Sequence, residues 1–470
     1  MSSTDNAQDA ESRLSGRVKV SFGICDLGGN LFFSIVGFHL LFYLTDVVGL
    51  APALAGTALA AGRVWDAITD PVVGYISDNT RTRWGRRRPY MFVGAFFLFG
   101  AMIFMFTNPG IEAQVPLFIW AALSFIMLNT FYTILSIPYS SLTPELTSNY
   151  QERTVLNGYR HTFAVIGTML GGAAYPVVVN LFGGGDTGWT ATGAFMGGIM
   201  LATAWAAVFG VRENTTAETA VGTRTNIFKS YFEVLKQRPM ITAVGTFMMH
   251  MAGVAVIQAS LVYYFTYIYR EPDLLFVALL ALLGTAFVFI PIWVVVSRSL
   301  GKTRSYNLGM GILSAAIVVF FLGSPHLGIW FAFAVMVVAG AGLATNYVMA
   351  WSIIPDAVEW DYAETGTRRE GVFYGMWTFM SKLGQAVGVG ITGLLLSVFG
   401  YIQPVAGEEV MQQPEEALTA IRLLVGPVPV VFFIAGIFIL SKYPINGKVY
   451  EDILRRIRER GEAVPGDEEQ

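Results

Sequence analysis

The stretch Gly62-Arg-Val-Trp-Asp-Ala-Ile-Thr-Asp-Pro-Val-Val-Gly74 places three charged residues inside an otherwise apolar segment. Arg63, Asp66 and Asp70 are spaced i, i+3 and i+7, so on a helix they project from one face. In a membrane each such charge costs on the order of 2.5–3.5 kcal/mol even on lenient insertion scales. Each of the three therefore requires a partner or a function if this segment crosses a bilayer, and the rest of the chain predicts that it does.

The composition is that of a membrane protein with many spans. Of the 470 residues, 54% are apolar and only 13% are charged, whereas soluble domains carry about 25% charged residues. The chain contains apolar stretches long enough to cross a bilayer as helices, separated by short polar breaks. The predicted spans are 20–45, 52–76, 90–108, 115–140, 155–182, 189–211, 239–269, 274–297, 306–323, 327–351, 372–400 and 418–441. We predict an all-α membrane protein with twelve transmembrane helices.

Several other classes are disfavoured. A net charge of −3 argues against nucleic-acid binding, and Cys25, the only cysteine, has no intrachain partner for a disulfide. The first 18 residues contain no apolar run, so no cleaved signal peptide is expected. The sequence has no H-E-x-x-H, G-x-S-x-G, P-loop or Cys/His cluster. We therefore expect no enzyme, no cofactor and no metal beyond a monovalent cation, which leaves secondary transport as the predicted activity.

Basic residues predict the orientation. Counted over the predicted loops and tails, 25 Lys and Arg lie on one side of the membrane and 2 on the other, which places both termini in the cytoplasm. We expect a monomer in the inner membrane of a bacterium, in contact with lipids, with an amphipathic C-terminal helix, 450–460, on the membrane surface. The predicted segments are a cytoplasmic N-terminus (1–19), a six-helix half (20–211), a cytoplasmic linker (212–238), a second six-helix half (239–441) and a cytoplasmic tail (442–470).

The two halves echo each other. Trp84–Arg88 and Leu300–Arg304 are similar turns 216 residues apart, and Pro144-Glu145 and Pro355-Asp356 lie 211 residues apart. Near-equal offsets predict two parallel repeats around a central cavity. The alternative is that glycine and basic residues are simply common in cytoplasmic turns.

Asp66 and Asp70 predict a cation site. Two carboxylates one helical turn apart repel each other unless a cation lies between them or one is protonated. Hard monovalent cations prefer oxygen ligands, and the hydroxyl of Thr133 on the fourth span can complete the shell. We therefore predict a site for Na⁺, Li⁺ or H⁺. The alternative, a buried ion pair between Arg63 and Asp66, leaves Asp70 without an explanation.

Other polar and aromatic residues in the spans predict a sugar-binding cavity. Asp26 and Asn30 share a helix face, and the fourth span carries a polar stripe at helical spacing: Asn129, Tyr132, Thr133 and Ser136. Tyr267 and Trp377 are among the aromatic residues that can stack on sugar rings while neighbouring polar groups bind hydroxyls. The alternative for the aromatic residues is a role in the membrane belt.

The span-two stretch, followed by Arg83-Trp-Gly-Arg-Arg-Arg-Pro89, resembles the glycoside–pentoside–hexuronide:cation symporter family, the melibiose-permease branch of the major facilitator superfamily. Tyr43-Leu-Thr-Asp-Val-Val-Gly-Leu50, Ile137-Pro-Tyr-Ser-Ser-Leu-Thr143 and Trp377-Thr-Phe-Met-Ser-Lys382 extend the resemblance over nearly the whole chain. It implies two six-helix pseudo-repeats and symport of a sugar or glycoside with Na⁺ or H⁺ by alternating access.

The resemblance also implies roles for single residues. Asp66, Asp70 and Thr133 match the family's cation ligands. The two aspartates that grip the sugar in melibiose permease correspond here to Asn30 and Ser136, so galactoside recognition of that kind is not expected; Asp26, one turn from Asn30, is a candidate replacement. The full set of residues expected to bind substrate is Asp26, Asn30, Tyr132, Ser136, Arg160, Trp377, Thr378 and Lys382.

A third group of charges is expected to act in gating. Arg86, Arg87 and Arg88 are predicted to pair with acids of the other half, Asp356 or Glu359, and Arg63 belongs to the same functional group. The alternative for the arginine run is a role in membrane topology alone.

Two other functions stay open. The span-two motif is also similar to that of sodium-dependent lysophosphatidylcholine transporters, so a lysolipid or another amphiphile is an alternative substrate. A non-transporting sensor built on the same fold is the second alternative, although a sensor would not require the pair Asp66 and Asp70.

Overall fold

A computed structural model describes residues 14–147, 150–212, 233–367, 369–404 and 412–459, and this part of the chain is helical without a β-strand. Most of the predicted N-terminal segment and central linker, and the end of the predicted tail, lie outside the described residues. Every predicted span coincides with a helix, which confirms the predicted all-α membrane class. The helices are α1 Gly16–Phe38, α2 Pro52–Asn79, α3 Arg88–Met105, α4 Gln114–Thr143, α5 Val155–Leu181, α6 Gly185–Gly210, α7 Arg238–Tyr269, α8 Pro272–Leu300, α9 Lys302–Ser324, α10 His326–Thr365, α11 Glu370–Val398, α12 Glu415–Leu440 and α13 Gly447–Glu459.

Among the described residues, eleven helices are long and apolar enough to cross a membrane. Of α1 to α12, α2 is the exception, because Arg63, Asp66 and Asp70 lower its mean hydropathy. Its 28 residues nevertheless extend about 42 Å at 1.5 Å per residue, which is enough to span a bilayer. The sequence feature that makes α2 a weak membrane helix is thus the same one that predicts its function.

Local sequence signals explain several helix ends. Ser15 caps α1 through its side-chain oxygen, which accepts a hydrogen bond from the backbone N–H of Val18. Prolines occupy the first turn of α2, α3 and α7, where the missing N–H costs nothing. After α1, a short helix over Leu40–Phe42 and a π-helical turn over Tyr43–Val47 carry the chain to Asp46.

The described residues form two compact units. The first comprises the described residues within 1–221, 265–276 and 393–417, and the second comprises those within 222–264, 277–392 and 418–470. In the first unit α4 packs against α2 and α3, and α1 packs against α5 and α6. In the second unit α12 packs against α7 and against the long helical segment Lys302–Thr365.

Two glycines allow the close helix packing that positions polar residues in the first unit. A Cβ atom at Gly62 would lie 2.2 Å from a ring carbon of Phe125, so α2 and α4 approach closely there. A Cβ atom at Gly167 would lie 2.1 Å from the backbone oxygen of Leu27, so α5 crosses α1 in direct backbone contact. Small residues at such crossings let helices approach in lipid.

The C-terminal helix α13 differs from the sequence-based expectation. The sequence predicts that its apolar face lies on the membrane surface, but the structure buries Ile453 and Ile457 against Tyr362 and Ala363 of α10. Arg456 pairs with Glu364 at 3.1 Å beside this contact. The amphipathic pattern is the same for both arrangements, and only the presence of an apolar protein surface on α10 decides between them.

Candidate functional site

The side chains of Asp66, Asp70 and Thr133 come together in the first unit. Thr133 Oγ1 lies 2.7 Å from Asp66 Oδ1 and 3.2 Å from Asp70 Oδ1. Since a hydroxyl carries a single proton, these distances describe one donor shared by two carboxylates. Asp66 and Thr133 are buried, and Asp70 is partly buried. The group offers several oxygen ligands at the buried contact between α2 and α4, here called the seam. Oxygen ligands are what a hard monovalent cation requires.

The seam exists because α2 and α4 pack closely. Gly62 contacts Phe125, and eight residues further along each helix Asp70 contacts Thr133, so the two helices keep a constant register. Arg63, on the same face of α2, is buried with its guanidinium carbon 5.8 Å from the ring centroid of Phe33 and 5.9 Å from that of Phe125. Aromatic ring faces stabilise such a cation in a low-dielectric environment.

Asp26 and Arg160 form the second polar group of the first unit. Arg160 Nε lies 2.5 Å from Asp26 Oδ2, and the two side chains retain 21% and 17% of their accessible surface. Tyr139 donates from its hydroxyl to Asp26 Oδ2 at 2.7 Å, and Arg160 Nη1 donates to Thr143 Oγ1 at 3.1 Å. The close crossing at Gly167 brings α5 near enough to α1 for this pair to form.

The other predicted substrate residues of the first unit are Asn30 on α1 and Tyr132 and Ser136 on α4. Asn30 donates from Nδ2 to the backbone oxygen of Asp26 at 2.9 Å, and Ser136 is partly buried on α4. Tyr132 is nearly buried, with its ring stacked on Phe32 at 4.2 Å between centroids. The structure thus brings the predicted residues of α1, α4 and α5 together in one unit.

The predicted residues of α11 belong to the second unit. Trp377 is buried and stacks on Phe247 at 4.1 Å between ring centroids. Trp351 contacts Trp377 edge-on at 6.1 Å. Thr378 is partly buried and Lys382 is buried on the same helix. The sequence-based assignment of Trp377, Thr378 and Lys382 to substrate binding stays a prediction.

The predicted gating residues have partners of their own. Arg87 Nη2 lies 3.1 Å from Asp78 Oδ1, and Arg88 Nε donates to the backbone oxygen of Val208 at 2.7 Å. In the second unit Lys302 Nζ lies 2.7 Å from Asp356 Oδ1. Arg86 and Glu359 are partly buried. The predicted pairing of the arginine run with Asp356 or Glu359 stays a prediction.

Sequence reasoning did not identify Tyr139 and Thr143 as part of the polar group. The signal was present, since both continue the helical spacing of the polar stripe on α4 beyond Ser136. It also missed the residues around Asp46, whose carboxylate accepts hydrogen bonds from the hydroxyls of Tyr267 and Tyr401. Nothing in the sequence links these three positions, because they are separated by more than 100 residues.

Comparisons with known proteins find a family of sugar transport proteins and relatives that are named as transporters or carriers. The family described as MFS/sugar transport protein matches residues 21–447. The isoprimeverose transporter of Lactiplantibacillus pentosus is 29% identical over 91% of this chain and 88% of its own length. The glucuronide carrier protein homolog of Escherichia coli is 27% identical over 95% of this chain and 96% of its own length.

A third relative is the sodium-dependent lysophosphatidylcholine symporter 1 of Xenopus tropicalis, 25% identical over 94% of this chain and 90% of its own length. Among solved structures, the nucleoside transporter NupG matches with a TM-score of 0.62 at 11% identity, over 92% of this chain and 99% of its own. At that identity the likeness concerns the fold alone.

Proposed function

The chain belongs to the MFS/sugar transport protein family, and on that premise we propose that it imports a sugar or glycoside together with a monovalent cation by alternating access. The family and the major facilitator fold predicted from the sequence are both confirmed. We further propose that it works in a bacterial inner membrane with both termini in the cytoplasm, as the distribution of Lys and Arg predicts.

One observation carries the proposal: two carboxylates share the single proton donor of Thr133 on the buried seam between α2 and α4. Two carboxylates so close to one hydroxyl repel each other in a low-dielectric environment, and a bound cation or proton reduces that repulsion. Binding of the cation would remove that repulsion and hold α2 against α4. A state-dependent cation affinity of this kind is what couples an ion gradient to substrate movement.

Na⁺ is the ion that we favour. The ligands on the seam are carboxylate and hydroxyl oxygens, which suit a hard cation. A relative named as sodium-dependent supports the same choice. A proton shared between Asp66 and Asp70 is the second candidate, and the transport assay below separates the two.

A sugar is the substrate class that we favour. The polar group around Asp26 and Arg160 combines a carboxylate, a guanidinium and hydroxyls, which bind sugar hydroxyls as donors and acceptors. Two relatives are named for isoprimeverose and for a glucuronide. Both are sugars, one neutral and one anionic, so a substrate panel must contain both kinds.

The proposal is tested with the full-length protein in proteoliposomes. Uptake of labelled isoprimeverose, a methyl glucuronide and lysophosphatidylcholine is measured under an inward Na⁺ gradient, under an inward H⁺ gradient at constant Na⁺, and without a gradient. We expect a sugar to accumulate under the Na⁺ gradient. Accumulation under the H⁺ gradient alone would make the proton the coupling ion, and accumulation of lysophosphatidylcholine alone would assign the protein to the amphiphile transporters.

Two variants connect the transport to the site. Thr133→Val removes the shared hydroxyl at nearly constant volume and is expected to raise the Na⁺ concentration for half-maximal uptake by about 10–100-fold, the cost of a lost supporting ligand. Asp70→Asn should abolish stimulation by the cation while allowing exchange of substrate. Full cation dependence in Asp70→Asn would contradict the proposal.

Thr130→Val is the matched control for Thr133→Val. Thr130 lies one turn earlier on α4, and its hydroxyl bonds the backbone oxygen of Ile126 at 2.7 Å and the indole of Trp65 at 3.0 Å. Its loss should leave the Na⁺ dependence unchanged. No flux of any of the three substrates under any gradient would favour the non-transporting sensor.

A further inference from the structure

Asp46 lies where three separate parts of the chain meet within the first unit. Its Oδ1 accepts hydrogen bonds from the hydroxyls of Tyr267 and of Tyr401, the latter at 2.7 Å. Its Oδ2 accepts from Thr45 Oγ1 at 2.5 Å. Both tyrosines are nearly buried, and their rings meet edge-on at 5.7 Å between centroids. A single carboxylate thus connects the π-helical turn after α1 with the last turn of α7 and with the residues after α11.

Among the described residues, the donors to this carboxylate are all neutral hydroxyls. None of the ion pairs between described residues involves Asp46. Hydrogen bonds to a charged acceptor are stronger than hydrogen bonds between neutral groups. They also depend strongly on geometry, so a small displacement of either tyrosine breaks them. The hydrogen bonds therefore stabilise the arrangement while the tyrosines are in place, and they are lost when the tyrosines move away from Asp46.

The two tyrosines lie on segments with a particular place in the chain. Tyr267 belongs to Phe265–Phe276 and Tyr401 to Gly393–Ala417, the two segments of the first unit that lie outside Met1–Val221. At both of its ends each segment continues into residues of the second unit. The hydrogen bonds to Asp46 therefore attach to the first unit those parts of the chain that lead to the second.

A second contact holds one of these segments in the same place. A Cβ atom at Gly393 would lie 2.3 Å from the backbone oxygen of Pro52 and 2.8 Å from the Cα atom of Gly56, so the chain at Gly393 is in backbone contact with the start of α2. Beyond it, Gln413 bonds the backbone N–H and C=O of Ile402, next to Tyr401, at 3.0 and 2.7 Å. These contacts hold Tyr401 in a defined position. Its hydroxyl can therefore donate to Asp46 with a fixed geometry.

We propose that Asp46, Tyr267 and Tyr401 form a latch that holds residues 265–276 and 393–404 on the first unit in the state described here, and that its opening releases them. The orientation predicted from the sequence places the latch on the outer side of the membrane. The latch uses no residue of the cation site (Asp66, Asp70 and Thr133) and none of the polar group around Asp26 and Arg160.

The test measures the distance between the outer loops, by double electron–electron resonance on the full-length protein in nanodiscs. The only cysteine, the buried Cys25, is first replaced by Cys25→Ala, so that spin labels attach only at the introduced cysteines. Spin labels are then attached at Glu112→Cys, in the exposed loop before α4, and at Glu271→Cys, exposed in the segment Phe265–Phe276 of the same unit. The readout needs neither substrate nor cation, so it stands apart from the proposed function.

The latch predicts a longer-distance population in the variants. Asp46→Ala removes all three acceptor contacts and should make this population readily detectable. Tyr267→Phe and Tyr401→Phe each remove one hydroxyl and keep the ring, and each should raise the ratio of long to short distances by about tenfold, a typical value for one hydrogen bond to a charged group. In the Asp46→Ala background, neither tyrosine variant should add a further change.

Tyr269→Phe is the matched control, because Tyr269 lies two residues from Tyr267 and packs against Phe265 rather than Asp46. It should leave the distances unchanged. An unaltered distribution in Asp46→Ala, or an equal shift in Tyr269→Phe, would overturn the latch. If Asp46→Ala does not fold, the double variant Tyr267→Phe/Tyr401→Phe, which keeps both rings, is measured instead. An unaltered distance distribution in that variant would likewise overturn the latch.

Discussion

Arg160 donates from Nε to Oδ2 of Asp26 at 2.5 Å, and this ion pair joins α5 to α1 at the polar group of the first unit. The pair is only partly accessible to solvent. Removing one member therefore leaves a poorly solvated charge, which costs more than the pair itself contributes.

The first prediction concerns this asymmetry. Arg160→Gln and Asp26→Asn should each destabilise the protein by about 1–3 kcal/mol, below the 3–5 kcal/mol of a fully buried pair because water still reaches both groups. The double variant should be more stable than the sum of the single effects predicts. Unfolding in detergent, compared across the four proteins, measures the coupling. Strict additivity would show that the two charges do not depend on each other.

The second prediction concerns two glycines of α5. Gly167→Ala puts a methyl group 2.1 Å from the backbone oxygen of Leu27, so α1 and α5 must separate, at a cost of about 1–3 kcal/mol. Gly158 has nothing within 4 Å of its added Cβ atom. Gly158→Ala should therefore stabilise the helix by about 0.5–1 kcal/mol. Thermal unfolding of both variants gives the comparison, and a loss of stability in Gly158→Ala equal to that in Gly167→Ala would refute the packing argument.

The third prediction is a pH dependence that originates at Asp46. Burial raises the pKa of Asp46 from its ordinary 3.8 to about 6, although its hydroxyl partners lower it. Because the folded state holds this proton more tightly than the unfolded state does, the contribution of Asp46 to the free energy of unfolding falls as the pH rises from about 4 to about 6.

Asp46→Asn cannot titrate and serves as the reference for that measurement. The melting temperature of the wild type minus that of Asp46→Asn should decrease between about pH 4 and about pH 6 and stay constant above. All other carboxylates cancel in this difference. A difference that is constant over the whole range would mean that Asp46 has an ordinary pKa in the folded protein.

The fourth prediction concerns the docking of α13. Ile457 is buried against α10, and Ile457→Ala should weaken the docking by about 2–4 kcal/mol, typical of a large-to-small change in a core. Amide hydrogen exchange in Gly447–Glu459 should speed up accordingly, while that of α10 stays slow. Arg455→Ala is the control, because Arg455 is exposed and its pair with Asp452 contributes little.

Much of the architecture was predictable from local properties of the sequence. Span lengths follow from runs of apolar residues, and the helix of Pro52–Asn79 follows from the same rule despite its charges. The convergence of Asp66 and Asp70 was predictable because residues four apart on a helix share a face. The hydroxyl of Thr133 was suggested as a ligand by its residue type and by resemblance to a family, but its position next to Asp66 depends on how α2 packs against α4.

Other features could not be predicted from local sequence. The polar group required Asp26 of α1, Tyr139 of α4 and Arg160 of α5 to meet, and only the close crossing at Gly167 makes that contact possible. The apolar face of α13 fits a membrane surface and a protein surface equally well until the neighbouring surface of α10 is known.

The sequence by itself determined that this chain is a helical membrane protein, which residues carry charge inside the membrane, and which family it belongs to. These are local properties, because hydrophobicity and helical periodicity act over a few residues. Only the tertiary structure decided which side chains share a hydrogen bond: Thr133 with two aspartates, Arg160 with Asp26, and Asp46 with tyrosines 221 and 355 residues away. Such contacts depend on helix crossings, whose geometry is fixed by packing between distant segments rather than by the sequence around each residue.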